Sequence, residues 1–309
     1  MLGHTVANDS ALEFEPSFPL RRGLRYVAVF YPDEIKKLLG ILVELGPELR
    51  LELDLEVTRG APSTSLVTVF PSADELPENL LRFYLHFSAP MHQGDSYRHI
   101  QILDAAGRTV EDAFIELDHE LWSPQGTRFT LLFDPGRLKS GLKPRREVGT
   151  ALKTRDDFVL LVSAEWPDIR GRALVAEFRK SFSVAAPDHK SPSPTLWQLT
   201  PPPAETRRPL EIRLAEPLDE ALLHHMLWIL DEGGERVAGQ VEIADGEQLW
   251  RYEPREPWKP GRYLLQVNPR LEDRSGNSIA KPFEVDLHRV EEPKVSNETI
   301  GLPFVVERP

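Results

Sequence analysis

Leu81-Arg82-Phe83-Tyr84-Leu85-His86-Phe87-Ser88-Ala89-Pro90-Met91 sets an apolar side chain at every second position and then runs into a proline. A period of two belongs to a β-strand with one buried face, because successive side chains point to opposite sides of a sheet. Phe83, Leu85 and Phe87 are therefore expected in a core. Pro90 ends the strand, since it has no N–H to give to a ladder. The design returns at Leu210-Glu211-Ile212-Arg213-Leu214-Ala215-Glu216-Pro217-Leu218. One strand type written twice in one chain calls for a search for further repeats.

The search succeeds. Ile102-Leu103-Asp104-Ala105-Ala106-Gly107-Arg108-Thr109-Val110 matches Ile229-Leu230-Asp231-Glu232-Gly233-Gly234-Glu235-Arg236-Val237. Asp168-Ile169-Arg170-Gly171-Arg172-Ala173-Leu174 matches Asp273-Arg274-Ser275-Gly276-Asn277-Ser278-Ile279, and each runs on to a phenylalanine, Phe182 or Phe283. A third landmark occurs three times. Phe14-Glu15-Pro16 with Gly23 and Tyr26 reappears as Tyr252-Glu253-Pro254 with Gly261 and Tyr263, and more loosely as Phe133-Asp134-Pro135 with Gly141. An aromatic, an acid and a proline followed by a glycine read as a strand end, a turn and a new strand. Short alternating strands separated by turn signals are the pattern of an antiparallel β-sandwich.

Phe87-Ser88-Ala89-Pro90-Met91, the Asp-x-x-Gly turns, Tyr252-x-Pro254 with Gly261 and Tyr263, and Asp273-x-x-Gly276-Asn277-x-Ile279 together resemble the SbsA-type bacterial immunoglobulin-like domain. The likeness covers roughly residues 66 to 290 and, in fragment, 1 to 65. Leu214-Ala215-Glu216-Pro217-Leu218 departs from the family's Phe-Ser-x-Pro-Met, and Gly171-Arg172 stands where the family often has Gly-Asn. The resemblance implies an all-β fold of tandem immunoglobulin-like antiparallel sandwiches, with a short helix or two in insertions. It also implies an interaction role at the cell envelope or outside the cell.

On this reading the chain divides into a partial immunoglobulin-like domain at 1–65, a domain with an insertion at 66–186, and a proline-rich linker at 187–204. A further domain follows at 205–290, and 291–309 is a tail or an added edge strand. Residues 1–65 hold only the second half of a copy. That reads as an incomplete N-terminus, whose upstream sequence could include a signal peptide, or as a half-module completed by its neighbours. Within it, Ile35, Leu38, Leu39, Leu42 and Leu45 have helical spacing, closed by Gly46-Pro47, and Leu49 to Val57 alternates as a strand.

Composition narrows the function classes. A length of 309 residues with 40% apolar side chains suits two or three domains with real cores, and 28 prolines suit many short strands. The net charge of −12 argues against nucleic acid, whose phosphates need a basic surface. Acidity of this size favours a soluble monomer. The absence of cysteine removes disulfides, thiolate metal sites and cysteine nucleophiles. No apolar run approaches the ~18 residues of a membrane helix. Met1 to Asp9 lacks the basic start and apolar middle of a signal peptide.

Candidate chemistry is sparse. The matching aromatic follows Gly261 closely but lies far beyond Gly141, so 142–157 is inserted. It carries Lys143, Arg145, Arg146, Lys153 and Arg155 on an acidic chain, with a short helix expected at 147–153. Loops at the end of a rigid sandwich present binding surfaces, so these cations are candidates for an anion or acidic-glycan contact, or else line a solvated loop. Of the six tryptophans, Trp166 and Trp258 stand beside turn prolines and are the candidates for exposed sugar-stacking rings. Glu116, Asp118 and Glu120 would share one strand face, with Asp112 or Asp104 near; Asp273 with Asn277 is a second oxygen pair. Calcium would suit such groups, but no glycine-bearing calcium loop is present, and an ordinary solvent face fits as well. The nine histidines form no ligand motif, and no nucleophile elbow occurs. No metal and no cofactor are therefore expected. The expectation is a non-enzymatic spacer or interaction module of a bacterial surface or secreted protein, with a protein or cell-wall glycan as partner. The alternatives are a carbohydrate- or polyanion-binding module and an accessory part of a larger secreted enzyme.

Overall fold

The computed structural model describes residues 3–7, 12–17, 20, 25–31, 48–55, 61–138, 149–283 and 298–308. Two hairpins come first. β1 (Gly3–Ala7) pairs antiparallel with β2 (Leu12–Pro16), and β3 (Arg25–Phe30) with β4 (Leu49–Asp54).

The next strands are β5 (Leu66–Phe70), β6 (Glu75–Pro77), β7 (Arg82–Phe87), β8 (Ile100–Asp104), β9 (Leu121–Trp122) and β10 (Arg128–Leu132). A one-turn helix, α1 (Pro135–Leu138), leads towards β11 (Asp157–Val162) and β12 (Phe178–Ala185). They form two sheets, ordered β5-β7-β10-β9 and β6-β12-β11-β8, in which β6 alone runs parallel to its partner β12. The last group is β13 (Gln198–Thr200), β14 (Leu210–Arg213), helix α2 (Glu220–Leu223), β15 (Leu227–Leu230), β16 (Gly239–Ala244), β17 (Leu249–Pro254), β18 (Gly261–Val267) and β19 (Ile300–Val306). Here the sheets are β13-β14-β17-β16 and β15-β18-β19. With β6 set aside as an extra strand beside β12, the seven remaining strands of the first group and the seven of the second, lettered A to G in chain order, read A-B-E-D in one sheet and C-F-G in the other. That is the immunoglobulin strand order. The chain is all-β, built of tandem immunoglobulin-like antiparallel sandwiches with short helices between strands.

Alternation builds each core. In the first sandwich Phe83 and Leu85 on β7 lie opposite Leu131 and Phe129 on β10, Phe87 lies opposite Leu66 on β5, and all six are buried. Phe158, Leu160 and Val162 on β11 and Phe182 and Val184 on β12 close the core from the other sheet. In the second, Ile212, Trp250, Tyr252, Tyr263, Leu265 and Val267 do the same.

The four Asp-x-x-Gly matches are one physical device. At Asp104, Asp168, Asp231 and Asp273 the carboxyl accepts the backbone N–H groups two and four residues on. The glycines, Gly107, Gly171, Gly234 and Gly276, have φ of +75, +78, +80 and +83°, the left-handed region that glycine enters without strain. The carboxylate supplies acceptors that the tight turn denies its own N–H groups.

One assignment at the domain edges changes, and the other takes the second of its two alternatives, the edge strand. The stretch 187–204, read as a linker, contains β13, which pairs with β14, and buries Pro194, Trp197, Pro202 and Ala204. In the stretch 291–309, read as a tail or an added edge strand, β19 pairs along β18 and sends Phe304 and Val306 into the core. The expected helix at 35–45 lies outside the described residues; the strand expected from Leu49 is β4.

Candidate functional site

Phe83, Leu85 and Phe87 face the core of the first sandwich, so Arg82, Tyr84 and His86 must point the other way. Instead of meeting water, this outward row meets the second sandwich. The Tyr84 hydroxyl lies 3.0 and 2.9 Å from the two carboxylate oxygens of Asp219. Arg82 Nε lies 3.4 Å from Asp219 Oδ2, and the Arg82 guanidinium donates to Glu272. His86 Nε2 stands 3.7 Å from Glu220 Oε2. Asp219 and Glu220 open helix α2, where Asp219 Oδ1 also accepts the Leu222 N–H at 3.0 Å as the N-cap.

The contact widens on both sides. Ser72 donates through its backbone N–H and hydroxyl to Glu247 Oε1, at 3.0 and 2.5 Å, and Arg274 Nη2 holds Glu247 Oε2 at 2.5 Å. Leu81 N–H donates to the Arg274 carbonyl at 2.9 Å. Asn79 exchanges two hydrogen bonds with the backbone of Asp188, and its Oδ1 accepts the Ser275 hydroxyl at 3.0 Å. Asn277 Nδ2 reaches the same Asp188 carbonyl at 3.1 Å. The first residues after β12 are thus tied to both sandwiches. Asp219, Glu220, Glu247, Asp273 and Asn277 are buried, and Arg274 is partly buried.

Burial and charge oppose each other here. Burial works against the Arg82 charge, yet Asp219 and Glu272 beside it hold its pKa above the ordinary arginine value. Burial, together with Asp219, pushes the Tyr84 phenol up, so it stays a donor. Burial also works against the Glu220 charge, but the hydrogen-bonded His224 imidazole and the nearby His86 imidazole hold it down at about 2. Turns of one Asp-x-x-Gly pattern diverge. Asp168 has the Arg172 guanidinium at 2.9 Å and sits below the usual carboxylate value despite burial. Asp273 has only Asn277 at the equivalent place, and burial pushes it up to about 7.

An acid lifted from its unfolded value of about 3.9 binds more protons folded than unfolded across the interval between. The Asp273 contribution to stability is therefore full below pH ~4 and is lost as the pH rises through about 7. Glu220, held at about 2, contributes above its unfolded value of about 4.3 and loses this as the pH falls towards 2. Carboxyl carbon NMR should show Asp273 titrating near neutrality and Asp168 below pH 4, as the ~3.9 reference value and Arg172 require. Coincident titrations would contradict the partner argument.

Among the described residues the candidate binding residues divide between surface and core. Lys143, Arg145 and Arg146 lie outside the described residues, as do the first residues of the expected helix at 147–153, whose described part, 149–153, is not helical. Lys153 and Arg155 are exposed. Trp166 and Trp258, expected as exposed rings, are buried, and this corrects the sequence reading. Trp166 packs 5.1 Å from Phe87, 5.8 Å from Trp122 and 5.9 Å from Phe129, and its indole N–H reaches the His92 carbonyl at 3.3 Å. Trp258 packs against Tyr263 and Phe304 and donates to the Arg208 carbonyl at 2.8 Å. Glu116, Asp118 and Glu120 do not share a strand face, because 115–120 forms no strand. Glu120 is taken up by Gly94 N–H, Ser96 and the Trp122 indole. Asp273 and Asn277 are hydrogen-bonded to each other within their turn.

The alternation at 81–87 was read for its inward row alone. The outward row, a cation, a phenol and an imidazole on one strand face, is ordinary for a row that meets water and gives no local signal of the joint.

No known family matches the chain, and no curated protein matches it. Solved structures similar to it include the N-terminal part of the bacterial S-layer protein SbsC, with TM-score 0.27 and 11% identity over 79% of this chain and 44% of that one. Native α2-macroglobulin from Escherichia coli, domains MG0-NIE-MG1, is similar with TM-score 0.25 and 10% identity over 79% and 71%. A chimeric titin Z1Z2 gives TM-score 0.24 and 11% identity over 67% and 90%. The chain spans less than half the length of that S-layer protein chain.

Proposed function

We propose that the two sandwiches act as a non-enzymatic spacer or presenting unit of a bacterial surface or secreted protein, monomeric and without a cofactor. The observation that carries this reading is the joint. The Arg82–Glu272, Tyr84–Asp219 and Ser72–Glu247 bonds and the Leu81 N–H to the Arg274 carbonyl form only while the sandwiches keep one relative placement. A buried polar group without its partner costs about 1–3 kcal/mol, and a charged one more. Swinging one sandwich on the other would uncover several such groups at once, so the joint favours fixed geometry over a swinging tether. Fixed geometry suits a part that holds its neighbours at a set distance. The repeat's likeness to the SbsA-type domain supports a place at the cell envelope or outside the cell.

The test is retention of the purified chain on immobilised cell-wall glycans and acidic polysaccharides at low and high salt. The spacer reading expects no retention on any of them. Salt-sensitive retention that Lys153→Ala with Arg155→Ala abolishes would overturn it in favour of a polyanion-binding module.

A further inference from the structure

β1 and β2 pair in the same register as β16 and β17. Gly3 lies opposite Pro16 as Gly239 lies opposite Pro254, and the pairing runs on through Ala7–Leu12 as through Ile243–Trp250, with one further pair, Ala244–Leu249, in the second hairpin. The two glycines meet the same surroundings. A Cβ on Gly3 would run into the Glu15 carbonyl and the Phe14 ring; one on Gly239 would meet the Glu253 carbonyl and the Tyr252 ring. β3 and β4 repeat β18 and β19 in turn. Tyr26–Leu53, Ala28–Leu51 and Phe30–Leu49 correspond to Tyr263–Phe304, Leu265–Leu302 and Val267–Ile300. The four N-terminal strands therefore hold places D, E, F and G of an immunoglobulin-like unit.

The equivalent residues differ in one respect. In the second sandwich Tyr252 and Phe304 are 6% and 5% exposed, whereas Phe14 and Leu53 are 50% and 44% exposed. Leu49 and Leu51 stand out at 63% and 68%. The second sandwich shows what is absent around them. There β17 pairs with β14 (place B) as well as β16, and β18 pairs with β15 (place C) as well as β19. Among the described residues β2 pairs only with β1, and β3 only with β4. A lone two-stranded hairpin is marginal in water, and an open apolar strand edge invites pairing.

We infer that β1 to β4 are a docking half-sandwich whose occupant is a polypeptide segment of the same repeat type carrying strands A, B and C. Its B strand lies along the free edge of β2 and its C strand along the free edge of β3. Its alternate apolar residues cover Phe14, Tyr26, Leu49, Leu51 and Leu53. Backbone ladders would supply affinity, and the apolar face would set the register.

Amide hydrogen exchange tests this. In the 309-residue chain, amides of 12–16, 25–30 and 49–54 should exchange fast while those of 249–254 and 261–267 stay protected. A copy of residues 198–238, the A–B–C part of the second sandwich, is then joined directly ahead of Gly3, as it is ahead of Gly239. Exchange in β2, β3 and β4 should slow by at least ~100-fold, and Leu51→Asp should reverse the gain. Strong protection in the chain alone would mean that the face is already filled from within, and would overturn the inference. Unchanged exchange after fusion of the A–B–C segment would overturn it too.

Discussion

Asp219→Ala is expected to destabilise the two-sandwich unit by about 3–5 kcal/mol, the cost of breaking a buried ion pair on one side. Asp219 serves three groups: the Tyr84 hydroxyl, the Arg82 guanidinium and the Leu222 N–H that starts helix α2. Alanine leaves all three short of an acceptor in a place water reaches poorly. For a unit of this size the melting temperature should fall on the order of 10 °C. Asp219→Asn keeps an acceptor for the cap and should cost clearly less. Asp219→Leu combined with Arg82→Met removes both charges and should recover only the part of the loss due to the unpaired Arg82, because the Tyr84 hydroxyl, the Leu222 N–H and Glu272 still lack their partners. Thermal unfolding of the three variants checks the argument. A loss below about 1 kcal/mol for Asp219→Ala would mean that the joint is solvated and holds nothing.

Trp166→Ala and Trp258→Ala are each expected to cost about 3–5 kcal/mol, as large aromatic deletions in cores do. Both rings are almost wholly buried, and each indole N–H satisfies a carbonyl that the deletion would orphan. Trp166 closes the first core beside Phe87, Trp122 and Phe129; Trp258 closes the second beside Tyr263 and Phe304. Urea unfolding should show the losses at a nearly unchanged slope. A variant of normal stability would return that ring to the surface and to sugar stacking.

The two tryptophans show where sequence reading runs out. Pro167 and Pro257 do mark turns, but a turn at the end of a sandwich can fold its aromatic inward over the core. Whether it does so depends on partners distant in sequence, such as Phe87 for Trp166 and Phe304 for Trp258. The strand repeats were legible because a period of two and an Asp-x-x-Gly turn are local chemistry. Each of the four turns satisfies its own N–H groups within five residues. The joint was not legible, since Arg82 and Glu272 or Ser72 and Glu247 meet only after two separate sandwiches have formed. Outward polar residues on a strand usually face water, and the row Arg82, Tyr84 and His86 shows no local departure from that rule. The proline-rich stretch misled for a related reason. Proline stiffens a chain whether it hangs free or lies docked, and the bonds from Asn79 and Asn277 to Asp188 show it docked.

Distance measurement across the joint tests the central claim most directly, and a chain without cysteine accepts two spin labels with no background. Val67→Cys on β5 and Val305→Cys on β19 are exposed positions, one on each sandwich. Pulsed dipolar spectroscopy on the doubly labelled chain should give one narrow distance distribution, which Asp219→Ala broadens. A broad distribution in the otherwise unaltered chain would mean that the sandwiches swing freely, and would contradict the fixed spacer.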